Sequence, residues 1–117
     1  MVMQIIKRNQ TVVDYNPDKI YQAVIKAYKD KTPVMSDEDY EACHKVTQKV
    51  DYDIRELEKD GLRKIPIGVI QGLVENRLLD FGLFGVYESY LGYRIQRDID
   101  RYGYGEHYYA KFKVGRL

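Results

Sequence analysis

The chain has 117 residues, a hydrophobic fraction of 44%, a charged fraction of 32% and a formal net charge of +1. This length fits one domain that can bury a core without disulfides or metals. The near-zero net charge excludes an overall field that would drive nucleic-acid binding, so any electrostatic function must be local.

The single cysteine, Cys43, excludes an intramolecular disulfide and a zinc site built on several thiolates. It fits a reducing compartment and reads as a small buried apolar residue. No apolar run approaches the roughly 18 residues of a membrane span, and there is no signal-peptide pattern. The expectation is a soluble, cytoplasmic chain with no membrane partner. Tyr is unusually common, with 12 against three Phe, and Tyr93, Tyr102, Tyr104, Tyr108 and Tyr109 fall late in the chain.

In chain order, residues 3–8 and 11–15 are rich in β-branched side chains between turn formers and predict a hairpin. The polar pair Asn9-Gln10 predicts a two-residue loop. Such loops ask for positive φ at both positions, which Asn tolerates and Gln does not, so a longer loop or a bulge is the alternative. Asn16 is an N-cap candidate, with Pro17 at the first helical position and Asp18 in the first turn. The first helix carries Ile20, Ala23, Val24, Ala27 and Tyr28 on one face and fades by Lys31, before Pro33.

Ser36 and Asp39 predict a capping box. The stripe Tyr40, Cys43, Thr47, Val50, Ile54 and Leu57 then predicts a long core-facing helix that stops near Gly61. Pro66 is expected to open a third helix with Ile67, Ile70, Leu73, Val74 and Leu78 inward, and Gly68 and Gly72 to admit close approach of another helix or backbone. After the turn at Gly82 and Gly85, a fourth helix runs from about Phe84 to Asp100, with Tyr87, Tyr90, Leu91 and Arg94 on one face. A Tyr-rich basic tail, residues 102–117, follows a domain spanning residues 1–101.

Lys7, Arg8 and Lys19 gather where the hairpin meets the first helix. Free N–H groups and the positive dipole end at that helix start favour an anion, so a phosphate there would meet Lys19 and one hairpin cation. Strand alternation sends Lys7 and Arg8 to opposite faces, and the same three residues also read as solvated surface cations. On the fourth helix, Tyr90/Arg94 and Tyr93/Arg97 are i,i+4 pairs. Such pairs serve either as internal cation–π contacts or as contacts to a base, a phosphate or a partner. His44 and His107 have no metal-ligand spacing, and no nucleophile–base set, Gly-rich phosphate loop or zinc motif is present, so an enzyme is not expected.

These pieces resemble a known module. Ile5-Ile6-Lys7-Arg8-Asn9 followed by Val12-Val13-Asp14-Tyr15-Asn16-Pro17-Asp18-Lys19-Ile20 is similar to the opening of the ATP-cone. This is the nucleotide-sensing domain at the start of many ribonucleotide reductases, also found in the transcriptional repressor of their genes. Val69-Ile70-Gln71 with Val74-Glu75, and Tyr90-Leu91-Gly92-Tyr93-Arg94 with Arg97, resemble its later signatures. The resemblance spans roughly residues 3–101, and the hairpin's wording is most similar to the anaerobic type of reductase.

The resemblance implies an α+β, mainly α fold in which an N-terminal β-hairpin caps a four-helix bundle. It implies binding of ATP or dATP, with or without Mg2+ and with no catalytic cofactor. Lys7, Arg8 and Lys19 would meet phosphates and Ile5 and Ile20 would border base or sugar, with Asn16 and Gln71 completing the site. Tyr90, Tyr93, Arg94 and Arg97 are further candidate contacts to nucleotide or partner. The family's hairpin usually has Gly where this chain has Gln10, and a cone standing alone is the expectation.

Three functions are compatible with the sequence. The first is an adenine-nucleotide regulatory module, from a reductase or free-standing, that controls an attached or partner protein through association, including homo-oligomerisation. The second is a repurposed cone, encoded by a mobile element, that binds and inhibits another protein. The third, single-stranded nucleic-acid binding by Lys111, Lys113, Arg116 and the tail tyrosines, is disfavoured by the net charge.

Overall fold

The computed structural model describes residues 3–102. The chain folds as an α+β domain that is mainly helical: β1 (Gln4–Ile6), β2 (Val12–Asp14), α1 (Pro17–Lys31), α2 (Asp37–Lys59), β3 (Lys64–Pro66), α3 (Ile67–Asp80) and α4 (Phe84–Tyr102). The tail beyond Tyr102, with the expected tyrosine and basic contacts, lies outside the described residues. Helix α1 packs against α4 and α2, α2 against α3, and α3 against α4, closing a four-helix bundle.

The helix ends follow from local chemistry. Asn16 caps α1 by accepting from the Asp18 N–H at 3.0 Å, with Pro17 next in line. The Ser36 hydroxyl accepts from the Asp39 N–H while the Asp39 carboxylate accepts from the Ser36 N–H, which is the expected capping box at the start of α2. Gly61 (φ +100°) and Gly82 (φ +72°) each end a helix in a Schellman motif. In the first the Leu62 N–H reaches the Leu57 carbonyl, and in the second the Leu83 N–H reaches that of Leu78.

The stripes of the first three helices converge on one core. Ile20, Val24 and Ala27 of α1 meet Cys43, Val46, Val50 and Ile54 of α2 and Ile70, Val74 and Leu78 of α3, whereas α4 buries Val86, outside its expected face, and packs Tyr87 and Tyr90 half-buried against the rest. Cys43 is buried, as read from its type. Val46 fills the core position next to Thr47, whose hydroxyl instead returns to the Cys43 carbonyl at 2.9 Å.

The sheet differs from the expected hairpin in two ways. It has three strands in the order β2-β1-β3, with β3 parallel to β1 and Ile65 opposite Ile5. Pro66 is therefore the last strand residue and N-cap of α3 rather than the first residue of that helix. The loop also has three residues, Arg8-Asn9-Gln10: the Gln10 N–H reaches the Lys7 carbonyl and the Lys7 N–H reaches that of Thr11. This turn needs a left-handed residue only at its end, where Gln10 stands at φ +72°, and Asn9 instead accepts from the Thr11 N–H and hydroxyl.

The glycines of α3 also depart from expectation. A Cβ on Gly72 would meet nothing within 4 Å, and one on Gly68 would meet only the Arg8 guanidinium at 3.9 Å. Neither marks a close helix crossing.

Candidate nucleotide site

A cavity of about 320 Å³ opens between the sheet and helices α1, α3 and α4. Ile5 from β1, Ile20 from α1 and Ile67 and Ile70 from α3 form its apolar wall. Four cations face it, Lys7, Arg8, Lys19 and Arg97, against two carboxylates, Asp14 and Asp98. A chain that is almost neutral overall thus carries a locally cationic cleft with a greasy side, a combination suited to an amphipathic anion.

All seven residues read as nucleotide contacts, Ile5, Lys7, Arg8, Asn16, Lys19, Ile20 and Gln71, line this one cavity. Strand alternation does not separate Lys7 from Arg8, because β1 ends at Ile6 and Arg8 already belongs to the loop. The helix start offers less than expected: Pro17 has no N–H, the Asp18 N–H is taken by Asn16 Oδ1 and the Lys19 N–H reaches the Asn16 carbonyl at 3.1 Å. An anion there would meet the Lys19 side chain, the Asn16 amide and the dipole rather than free backbone donors.

Arg8 is the best-defined cation. Its Nη2 donates to Gln71 Oε1 at 3.0 Å and lies 3.4 Å from Asp98 Oδ2. Its Nε is buried without a hydrogen-bond partner among the described residues. Beneath the site the Tyr15 hydroxyl donates to Asp51 Oδ1 at 2.6 Å, and burial together with this bond raises the phenol's pKa. Tyr90 also lines the cavity, and burial pushes its pKa up to about 12.

The α4 cluster divides. Tyr90 and Arg97 line the cavity, whereas Arg94 Nε donates to Glu75 Oε2 at 2.7 Å on the α3 side. Tyr93 lies on the α1 side, where the cation over its ring is Lys26, 5.1 Å from the centroid. Tyr93 faces a separate groove with Asp30 and Ser89. His44, off the core stripe, stacks on Tyr21 at 4.3 Å.

The sequence reading missed Asp14, Tyr15 and Asp98 as cavity residues. Asp14 closes the strand whose neighbours were read as contacts, so its position carried a usable signal. Nothing local links Asp98 to an arginine 90 positions earlier. Among the described residues no group of three or more His, Cys, Asp or Glu could hold a metal ion, and no helix is long and apolar enough to cross a membrane.

Comparison with known proteins accords with this geometry. Residues 3–99 match the family model described as the ATP cone domain. The chain is 35% identical over 98 residues to the ribonucleoside-diphosphate reductase subunit alpha of Chlamydia trachomatis serovar D, covering 81% of this chain and 9% of that protein. It is 33% identical over 103 residues to the subunit of the same name from Chlamydia pneumoniae, covering 83% of this chain and 10% of that protein. The chain thus spans about a tenth of the length of these relatives. Both are diphosphate reductase subunits, so they lend no weight to the anaerobic type that the hairpin's wording resembles. The match covers a regulatory rather than a catalytic part of such enzymes, and on the family model's span from strand β1 through helix α4 this chain belongs to the ATP-cone family.

Proposed function

We propose that the chain binds ATP or dATP in the cavity between the sheet and the helices, and that occupancy controls an attached or partner protein through association. The single observation that supports this most is the convergence of Lys7, Arg8, Lys19 and Arg97 on a cleft also lined by Ile5, Ile20, Ile67 and Ile70. The cations would hold the phosphates, the isoleucines would border the base and sugar, and Asn16 and Gln71 would supply directional hydrogen bonds. A magnesium ion carried by the phosphates would find Asp14 at the cavity's edge. The unpartnered Arg8 Nε fits a site whose ligand completes its hydrogen bonding.

Association needs a surface. Leu79, Phe81 and Phe84 are exposed around the α3–α4 turn, and Phe81 shares a groove with Tyr52 of α2. Control by nucleotide then requires that ATP and dATP bind the associated and free states with different affinity. The test is calorimetric titration of each nucleotide with sedimentation run in parallel. Saturable heat and a nucleotide-dependent change in mass are expected. Absence of heat overturns the binding, and an unchanged mass in the presence of the partner and nucleotide overturns the control.

A further inference from the structure

We propose that Asp98 competes with the ligand's phosphates for Arg8, so that occupancy of the cavity loosens the last turns of α4. This inference rests on the nucleotide-binding reading and adds a route by which occupancy reaches the rest of the molecule.

The hold on Arg8 is incomplete. Both partners of its Nη2 come from the helical wall, Gln71 of α3 and Asp98 of α4. The separation from Asp98 is 3.4 Å, longer than a good charge-assisted hydrogen bond, and Nε is left buried and unpaired. A phosphate offers oxygens that accept from two edges of the guanidinium fork. Position 68 presents no side chain to obstruct the swing, since even a Cβ there would stand 3.9 Å from Nη2.

The consequence falls on Asp98. Its side chain is only 16% exposed, so a phosphate that takes Arg8 leaves a largely enclosed carboxylate without its counter-charge and beside a second anion. Besides the half-buried Ile95 and Ile99, the described ties of the helix lie nearer its start. Val86 is in the core, Ser89 donates to Asp30 at 2.8 Å and Arg94 is tied to Glu75. Past Arg94, among the described residues, the Arg8–Asp98 pair is the polar tie from α4 to another element, because Gln96 bonds Asp100 within the helix. Ligand and helix end therefore draw on one cation, and by linkage each weakens the other's hold on it.

The experiment is hydrogen–deuterium exchange of the full chain with and without saturating ATP, alongside calorimetry, for the wild type and Asp98→Asn. In the wild type, ATP should speed exchange over residues 95–100 by up to about fivefold, the reach of one partly buried ion pair. Asp98→Asn should show that faster exchange without ligand, gain no further increase with ATP, and bind ATP more tightly than wild type. ATP that binds the wild type but leaves residues 95–100 unchanged or slower to exchange overturns this inference and leaves the nucleotide-binding reading intact. No binding by the wild type overturns the nucleotide-binding reading and this inference with it. The wild-type arm alone decides the inference if the variant does not fold.

Discussion

Arg8 Nη2 donates to Gln71 Oε1 across 3.0 Å, joining the hairpin turn to α3 over 63 positions of sequence. The residue that fixes the turn to the bundle is also a cation that would meet a phosphate in the proposed site. Arg8→Ala removes the charge-assisted donors of that phosphate and should weaken ATP binding about 10- to 100-fold. Gln71→Glu keeps the shape but adds a carboxylate against Arg8 and should weaken binding about tenfold. Calorimetry measures both, and unchanged affinity in both variants would remove this corner from the site.

Gln10 carries strain that the turn requires. Its φ of +72° disfavours any residue with a Cβ, and among the described residues it is the non-glycine in that region. Gln10→Gly should raise stability by about 1 kcal/mol, less the greater flexibility glycine gives the unfolded chain. Urea denaturation should show the midpoint move up at unchanged slope. A lower midpoint would mean that the Gln10 side chain contributes a contact outweighing the backbone cost.

Stability should fall at both ends of the pH range. The Ser36 N–H, followed by the Tyr28 hydroxyl, holds the Asp39 carboxyl below its ordinary value of 3.8. The ionised form is thus favoured in the fold, so its contribution is present above 3.8 and is lost as pH drops through the lower folded value. The bond to Asp39, with burial, pushes Tyr28 from 10.0 up to about 12, and burial does the same to Tyr90. The neutral phenols are favoured in the fold, so their contribution is complete below pH 10 and is lost between 10 and about 12. Thermal unfolding from pH 2 to 12 reads both limbs. Tyr28→Phe should flatten each of them, because it removes the bond that shifts both groups.

Ile65 is central to a strand of three residues, and only 3% of it is exposed. Ile65→Ala should cost about 2–5 kcal/mol, as for a core aliphatic. The exposed Val12→Ala on the outer strand should cost well under that. Equal costs would show that β3 does not belong to the core.

The same strand marks the limit of what the chain's pattern reveals. The four helices were legible because each carries its own stripe and end signals: Asn16-Pro17, the Ser36–Asp39 box, Gly61 and Gly82. β3 has no such signature. Lys64-Ile65-Pro66 is too short to alternate, its proline reads as a helix start, and its pairing with β1 depends on residues some 60 positions away. Lys7, Arg8 and Lys19 were legible as cations flanking a helix start, Ile5 and Ile20 entered only through the family resemblance, and Ile67 and Ile70 read as core alone. Asp98 and the split between Arg97 and Arg94 were not, because they depend on which neighbour each side of α4 meets, Glu75 or the cavity.

Calorimetric titration of ATP and dATP into wild type and Lys19→Ala asks most directly whether adenine nucleotide binds between the sheet and the helices with its phosphates on the cations. Lys19 is exposed and lines the cavity, so the variant should unfold at the wild-type temperature. Wild type should bind saturably with a rise in Tm of several degrees, and the variant about tenfold more weakly. No heat and no change in Tm with either nucleotide, or equal affinity in both proteins, would contradict such binding.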